Sequence, residues 1–287
     1  MTDVERARHP WGWGWADKFP DDDARAALAQ MGSALLGGAL APAPVAATEP
    51  RLPVSRVEPP ATLAGLITAE PAARASHTYG KGYPDLVRGF RGDFDAAPDL
   101  VARPTSEAEV GAVLDWCGSA GLAAVPFGGG TSVVAGVECP RDAARGIVSI
   151  DLTAMDRVLE VEPLSRTARI QAGARGPVLD AQLAEHGLTL RHYPQSYEFS
   201  TLGGWLATRA GGHYATLYTH IDDLCESMRV VTPRGIVATP RLPASGAGPS
   251  PDRMFLGSEG ILGVITEAWM RVTPKPRWRA SASVKFE

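Results

Sequence analysis

Three consecutive glycines, Gly128 to Gly130, follow the apolar run "LAAVPF" in the stretch "PFGGGTSVVAG" at 126–136. Glycine fits where the backbone needs a positive φ or where another group approaches it very closely. A glycine turn that leaves a buried strand exposes successive backbone N–H groups, which can surround a phosphate without a Cβ in the way. The stretch therefore predicts a strand followed by an anion-binding turn. A tight turn between two buried strands is the alternative.

The two common nucleotide-binding loops do not match this stretch. A P-loop needs a lysine after its last glycine, and here Gly130 is followed by Thr131 and Ser132. The dinucleotide pattern GxGxxG fits at Gly128 and Gly130 but has Val133 in place of the third glycine. The sequence therefore excludes an ordinary NTPase loop and a Rossmann loop.

Two further stretches are rich in small residues. In "YPQSYEFSTLGGWLATRAGG" at 193–212, the small residues indicate a segment pressed against a flat ligand or another backbone. A glycine-rich helix contact is the alternative. The other stretch, "FLGSEGILGVITEAWMRVTPKP" at 255–276, predicts a glycine turn followed by a strand.

Composition limits the class of protein. The 287 residues are 45% hydrophobic and 21% charged, as in a globular chain of one large or two modest domains. A formal net charge of -4 argues against nucleic acid or an anionic membrane as a partner. The most apolar early run, "MGSALLGGALA", has about half of the ~20 residues that a membrane span needs. Cys117, Cys139 and Cys225 form no CxxC pair, so we expect neither disulfides nor a metal site. We expect a cytoplasmic location.

Local patterns predict several elements. Ser106 and Glu109 predict a capping box, and the apolar spacing from Val110 to Cys117 predicts the helix that follows it. "RVLEVEPLSRTARIQAG" and "MRVVTPRGIV" each predict a β-hairpin. Pro177 predicts the first turn of a helix in "PVLDAQLAEHGL".

Taken together and in order, these stretches resemble the flavin-binding domain of the vanillyl-alcohol oxidase and p-cresol methylhydroxylase superfamily. Within it they are most similar to the alkyldihydroxyacetonephosphate synthases. The resemblance is carried by "RPTSEAEV", "PFGGGTSVVAG", "RVLEVE", "YPQSYEFSTLGGWLATRAGG", "IDDLCESMRVVTPRGIV" and "GSEGILGVITEAWMRVTPKP". It covers about 76–276, and the N-terminal "GWGWADKF" is similar more loosely. Each stretch alone is weakly diagnostic, whereas the ordered set is specific.

The resemblance implies an α+β fold, a p-cresol methylhydroxylase-type FAD-binding domain in which two α+β subdomains sandwich the FAD. The expected division is an N-terminal segment of short helices and linker at 1–75, a first FAD-binding subdomain at 76–156 and a second at 157–276. Residues 277–287 would begin a C-terminal cap domain that binds substrate in the synthases. We expect the family's catalytic residues in that cap domain, so the resemblance carries none of them onto this chain.

The resemblance also implies which residues hold FAD. The glycine loop would surround the pyrophosphate, the second stretch would lie along the diphosphate and flavin, and the third would line the adenine side. The implied cofactor-binding residues are Pro126, Phe127, Gly128, Gly129, Gly130, Thr131, Ser132, Gln195, Ser196, Glu198, Phe199, Ser200, Thr201, Gly203, Gly204, Thr208, Arg209, Ala210, Gly211, Glu259, Gly260, Gly263, Val264 and Ile265.

Two histidine questions follow from the resemblance. Covalent flavin linkage in some relatives uses a histidine in or near the glycine loop, and because 128–130 are all glycine, non-covalent FAD is expected here. His192 matches a histidine of the synthases, for which we expect a structural hydrogen bond, with a role near the flavin as the alternative.

The activity implied by the resemblance is the exchange of the acyl chain of acyl-dihydroxyacetone phosphate for a fatty alcohol, which gives an ether lipid. The first alternative is an FAD-linked oxidase or dehydrogenase of a D-2-hydroxy acid such as lactate or glycolate. The second is a non-catalytic flavin-binding fragment. A small-molecule or lipid substrate is expected, nucleic acid is not, and a homodimer is possible.

Overall fold

The structure, a computed structural model, describes residues 7–40, 50, 52–139, 145–212, 215–218, 220–242, 246–278 and 280–286. Parts of the expected segments 1–75 and 277–287 lie outside these ranges. The chain divides into two compact units. Unit 1 comprises Met1–Arg103 and Val113–Asp151, and unit 2 comprises Pro104–Ala112 and Leu152–Glu287.

The helices and strands of the described ranges are named in chain order. The α-helices are α1 Asp22–Leu36, α2 Pro71–Ser76, α3 Tyr83–Phe90, α4 Glu107–Ala120, α5 Gly176–Ala184, α6 Leu202–Thr208, α7 Ala215–Tyr218, α8 Ile221–Leu224 and α9 Asp252–Phe255, with a 3-10 turn at Ala16–Lys18. The strands are β1 Ile67–Thr68, β2 Leu100–Ala102, β3 Ala123–Phe127, β4 Ile147–Asp151, β5 Val158–Glu162, β6 Thr167–Gln171, β7 Leu188–Thr189, β8 Cys225–Thr232, β9 Gly235–Ala238, β10 Val264–Arg271 and β11 Thr273–Pro274. Helices and sheets in both units confirm the α+β class.

Unit 1 contains a four-stranded sheet in the order β1-β2-β4-β3. Strands β2, β4 and β3 are parallel, whereas β1 is antiparallel to β2. Parallel strands are usually covered on both faces, and β4 is buried at every position. The strand predicted from "LAAVPF" is β3, which is therefore confirmed.

Helix α4 forms as its apolar spacing predicts, with Val110, Val113 and Cys117 buried. Its start differs from the predicted capping box by one residue. The Ser106 Oγ accepts from the Glu109 N–H at 3.3 Å, but the Glu109 carboxylate accepts from the Thr105 N–H at 2.6 Å. The reciprocal bond thus closes around Thr105, and both bonds satisfy amide groups near the start of the helix.

The Trp-Gly-rich N-terminal segment packs in unit 1. Trp11 lies against a buried cluster of Tyr79, Phe94 and two alanines. A Cβ added at Gly89 in α3 would lie 2.6 Å from the Cβ of Trp11, so glycine lets the two backbones approach. The aromatic spacing of "WGWGWADKF" therefore serves tertiary packing.

Unit 2 is built on a five-stranded antiparallel sheet in the order β5-β6-β10-β8-β9. The two predicted hairpins are confirmed as β5–β6 and β8–β9, and β10 pairs with both β6 and β8. Side chains of α5 and α6, among them Leu183 and Trp205, form a core with strand residues such as Ile170 and Met270. Burial of each such side chain contributes about 1.5–3 kcal/mol, which holds both helices on the sheet.

The described ranges contain α-helices of 4 to 15 residues. None of these helices combines the length and the apolar character needed to span a bilayer.

Candidate functional site

The glycine loop leaves the carboxyl end of β3 and folds over its own preceding ring. Gly130 has φ +62, and a Cβ there would lie 2.4 Å from the Phe127 Cζ. The Ser132 Oγ accepts from the Gly136 N–H at 2.9 Å and closes the far side of the turn. Within the described ranges, the N–H groups of 128–131 find no protein acceptor. Such a run of donors is suited to a phosphate.

A second backbone segment, Gly80–Gly82, packs against this loop. The Lys81 N–H donates to the Ser132 carbonyl at 2.6 Å, and a Cβ on Gly80 would lie only 2.2 Å from that oxygen. From the N-terminal segment, the Arg8 Nη1 donates to the Gly129 carbonyl at 2.9 Å. Neither basic residue was predicted from the sequence, although the two glycines that flank Lys81 indicate a close approach of the backbone.

A buried pair, His77 and Asp151, packs against the ring of Phe127. The His77 ring lies 4.2 Å from the Phe127 ring, with both side chains buried. The His77 Nδ1 lies 2.7 Å from the Ala73 carbonyl, and its Nε2 lies 3.2 Å from the Asp151 Oδ2. Arg103 adds a more distant ion pair to Asp151 at 3.7 Å. These bonds fix the ring on which the glycine loop rests.

In unit 2, the hydroxyl groups of the second stretch largely serve the protein itself. The Ser200 Oγ donates to the Ser196 carbonyl and accepts from the Trp205 Nε1 at 2.7 Å. The Thr201 Oγ1 caps α6 at the Gly204 N–H. A Cβ on Gly203 would lie 2.8 Å from the Ala172 Cβ, so this glycine serves helix packing. The glycine-rich helix contact considered as an alternative therefore describes this part of the stretch.

The remaining residues of the second stretch divide by exposure. Ser196, Phe199, Gly204 and Ala210 are half-buried, whereas Gln195, Glu198, Thr208, Arg209 and Gly211 are exposed. The exposed residues are the ones that α6 and its flanks present to solvent.

The structure brings the second and third stretches together. The Gly257 N–H donates to the Leu206 carbonyl at 3.1 Å, and the Glu259 N–H donates to the Ala207 carbonyl at 2.9 Å. Both bonds hold the glycine turn against the carboxyl end of α6. Glu259 itself has φ +54, and burial raises the pKa of its carboxyl group.

The strand end of the third stretch is packed within unit 2. Gly263 lies so close to β8 that a Cβ would be 2.8 Å from the Val231 carbonyl. Val264 and Ile265 are buried strand residues, and Ile265 belongs to the hydrophobic core. Gly260, half-buried with φ +82, is the turn residue between Glu259 and this strand.

Arg209 at the end of α6 enters an ion cluster that sequence analysis missed. The buried Asp222 carboxylate accepts from the Arg209 Nη2 at 2.6 Å and from the Arg253 Nη1 at 2.5 Å. Burial alone would raise the pKa of Asp222, but the hydrogen bond and charge of Arg209, with the charge of Arg253, lower it. His220 and Asp223 complete the lining of an open cleft of about 490 Å³.

His192 departs from its expected role. The side chain is buried, its ring lies 5.1 Å from the Trp205 ring, and its Nε2 has no hydrogen-bond partner. The expected structural hydrogen bond is absent among the described residues. Burial and, to a lesser degree, the charge of His220 lower the pKa of His192 to about 4, so the imidazole is neutral at pH 7.

The residues around the glycine loop fit the diphosphate of a dinucleotide cofactor. The loop presents unpartnered amide donors at 128–131, and glycine keeps its backbone open to close approach. The basic residues Arg8 and Lys81 lie at the same loop. Backbone N–H groups and cations are the two kinds of donor that bind phosphates in proteins.

Comparison with known proteins agrees with this fit. The family model described as "FAD binding domain" matches residues 98–239. An alkyldihydroxyacetonephosphate synthase of Dictyostelium discoideum is 43% identical over 205 residues, which are 71% of this chain and 33% of the relative. A D-lactate dehydrogenase (cytochrome) of Arabidopsis thaliana is 34% identical over 191 residues, 66% of this chain and 33% of the relative.

A solved structure of an alkyldihydroxyacetonephosphate synthase matches with a TM-score of 0.71 and 41% identity, over 75% of this chain and 39% of that one. The chain thus spans about a third of the length of the curated relatives named above. The family match, the strand-to-glycine-loop geometry and the shared fold agree with one another. Residues 98–239 are therefore an FAD-binding domain of the p-cresol methylhydroxylase type, and the chain is similar to the alkyldihydroxyacetonephosphate synthases.

Proposed function

We propose that this chain is the FAD-binding part of an enzyme like the alkyldihydroxyacetonephosphate synthases. Its reaction would exchange the acyl chain of acyl-dihydroxyacetone phosphate for a fatty alcohol. The observation that carries the proposal is the difference in similarity. Synthases of three organisms are 35–43% identical over 205–218 residues, whereas the D-lactate and glycolate enzymes are 30–34% identical over 191–196 residues.

The proposed task of this chain is to hold FAD. Bound FAD supplies a flavin ring that accepts and returns electrons. The glycine loop amides would bind the diphosphate, and the exposed residues Thr208 and Arg209, with the turn at Glu259 and Gly260, would contact the rest of the cofactor. Buried residues such as Gly203 and Ile265 would position these groups through packing.

Non-covalent binding of FAD is part of the proposal. Support comes from the glycines at 128–130, which offer no nucleophile, and from His77, whose two ring nitrogens face the Ala73 carbonyl and Asp151. Acid precipitation of the flavin-loaded protein should therefore release the yellow colour into the supernatant. Colour retained in the pellet would contradict this mode of binding.

A reducing, cytoplasmic location is also proposed, together with homodimer formation. The three cysteines are free thiols, and burial raises the pKa of Cys117 to about 11. Burial, with the charges of Asp99 and Glu138, raises the pKa of Cys139 to about 12. Such thiols stay protonated and unreactive. Size-exclusion chromatography with light scattering tests the dimer.

The activity is tested with the protein as it occurs in its source. Incubation with acyl-dihydroxyacetone phosphate and a labelled fatty alcohol should give a labelled ether lipid, with no net reduction of the flavin. Anaerobic bleaching of the flavin by D-lactate or glycolate would instead establish the 2-hydroxy acid enzyme. A protein that binds FAD and does neither would be a cofactor-binding module, and the synthase proposal would be wrong.

A further inference from the structure

The Gly80–Gly82 segment holds Lys81 in a fixed position beside the glycine loop. Its N–H bond to Ser132 anchors the lysine backbone, and its carbonyl accepts from the Trp13 Nε1 at 3.2 Å. A Cβ on Gly82 would lie 3.0 Å from the Val133 carbonyl, so glycine is needed on both sides of Lys81 for this approach. The backbone of Lys81 is thus held by hydrogen bonds to the N-terminal segment on one side and to the glycine loop on the other.

The Lys81 side chain is buried and lacks a counter-ion of its own. The residue is only 5% exposed, and the hydrogen bonds described for Lys81 are made by its backbone N–H and carbonyl. Asp85, the carboxylate whose charge acts on Lys81, already accepts from the Gly82 N–H at 3.1 Å and from the Arg88 Nη2 at 2.5 Å. Burial and the charge of Arg8 lower the pKa of Lys81 to about 8, against the opposing effect of Asp85. The ammonium is therefore still mostly charged at pH 7.

Arg8 brings a second positive charge to the same place. Its guanidinium donates to the Gly129 carbonyl inside the glycine loop and is close enough to Lys81 to affect its pKa. Two positive charges close together raise the local electrostatic potential, which favours the binding of an anion beside them. The loop amides of 128–131 point to the same anion, because they also have no acceptor among the described residues.

We propose that Lys81 and Arg8, together with the loop amides, form the binding site for the FAD diphosphate, with Lys81 as its main cationic ligand. Both residues precede the segment 98–239 that matches the FAD binding domain family. The N-terminal segment is then part of the cofactor site. A lysine thus serves the loop from a distant part of the sequence, in the way that a P-loop lysine serves as a point charge on phosphates. This inference rests on the proposed FAD-binding function.

The test is a titration of the flavin-free protein with FAD, followed by flavin fluorescence, at two salt concentrations. Lys81→Met should raise the Kd for FAD at least about tenfold and reduce its dependence on salt, because one ionic contact is lost. Lys81→Arg keeps the charge and should recover part of the affinity. The control is Lys18→Met, which removes an exposed lysine of the N-terminal segment and should bind FAD normally.

Two further measurements separate a ligand contact from a structural role. Riboflavin lacks the diphosphate, so its Kd should be the same for Lys81→Met and for the unsubstituted protein. Inorganic pyrophosphate should compete with FAD on the unsubstituted protein, a result that needs no variant to fold. An FAD Kd within twofold of normal for Lys81→Met, an equal loss for riboflavin, or no competition by pyrophosphate would overturn the assignment. Failure of the unsubstituted protein to bind FAD would overturn the proposed function as well.

Discussion

At the scale of single residues, glycine decides what the loop after β3 can bind. Gly130 combines a left-handed backbone with a contact to Phe127 that leaves no space for a methyl group. Phe127 cannot move away freely, because the buried His77–Asp151 pair packs beneath it. The shape of the loop therefore depends on one missing side chain and on the ring below it.

We expect Gly130→Ala to destabilise the protein by about 2 kcal/mol or more, from steric overlap and an unfavourable φ. The loss should appear in the free energy of unfolding by urea, and the Kd for FAD should rise. Gly118→Ala is the matched control. Gly118 lies in helix α4, and a Cβ added there would have no other atom within 4 Å. That control should be neutral or stabilising by up to ~1 kcal/mol. Equal stability of the two variants would contradict the steric argument.

Asp222 is the second residue with a clear consequence, since two arginines depend on it. Asp222→Asn should cost about 1–3 kcal/mol at pH 7, because the charged hydrogen bonds from Arg209 and Arg253 are lost. The folded protein holds the pKa of Asp222 below the ordinary value near 3.9. Its contribution is therefore complete above about pH 4 and is lost as the pH falls through the lower folded value.

Urea unfolding between about pH 2 and pH 7 checks this sign. The difference in stability between the unsubstituted protein and Asp222→Asn should shrink toward acid pH. Asp115→Asn, on the exposed face of α4, is the control and should stay within about 0.5 kcal/mol throughout. A pH-independent difference would show that Asp222 acts by packing and not by charge.

At the scale of elements, Glu107, the first residue of helix α4, forms hydrogen bonds with two strands of unit 2. The Glu107 carboxylate accepts two hydrogen bonds from Arg229 of β8, at 2.6 and 3.0 Å, and one from Thr266 of β10 at 2.9 Å. Chiefly through the Arg229 bonds, the pKa of Glu107 is lowered despite its partial burial. A carboxylate in a first helical turn is also favoured by the helix dipole.

A double-mutant cycle with Glu107→Ala and Arg229→Ala measures the strength of the ion pair between these two residues. We expect a coupling free energy of about 1–2 kcal/mol, above the typical surface pair, because the arginine contact is bidentate and the glutamate is partly buried. Urea unfolding of the four proteins gives the value. A coupling below about 0.3 kcal/mol would show that the pair has no more effect than an ordinary surface ion pair.

At the scale of the whole molecule, FAD binding should be linked to folding. The cofactor would bind only the folded chain, so its binding free energy adds to the stability. At an FAD concentration of 100 times the Kd, the gain is about 2.7 kcal/mol, or roughly 5–10 °C in Tm. Thermal unfolding with increasing FAD measures the shift. A Tm that does not depend on FAD would contradict specific binding.

The sequence alone predicted the strand β3, the glycine turn, α4, both hairpins of unit 2 and β10. These features are local, because apolar periodicity and glycine chemistry act over a few residues. The same local signal could not separate a ligand contact from helix packing, and at Gly203 the packing interpretation describes the structure. Nor did it predict the shifted capping bond at Thr105.

Only the tertiary structure brought Arg8 to a loop 121 residues away and His77 to Asp151 across 74 residues. It also gathered Arg209 and Arg253 around one carboxylate. The residues that flank these groups in the sequence do not indicate the pairing, because it depends on how distant segments pack and not on local conformation. The sequence therefore determined where the backbone makes its glycine turn, and the fold decided which distant charges lie beside that turn.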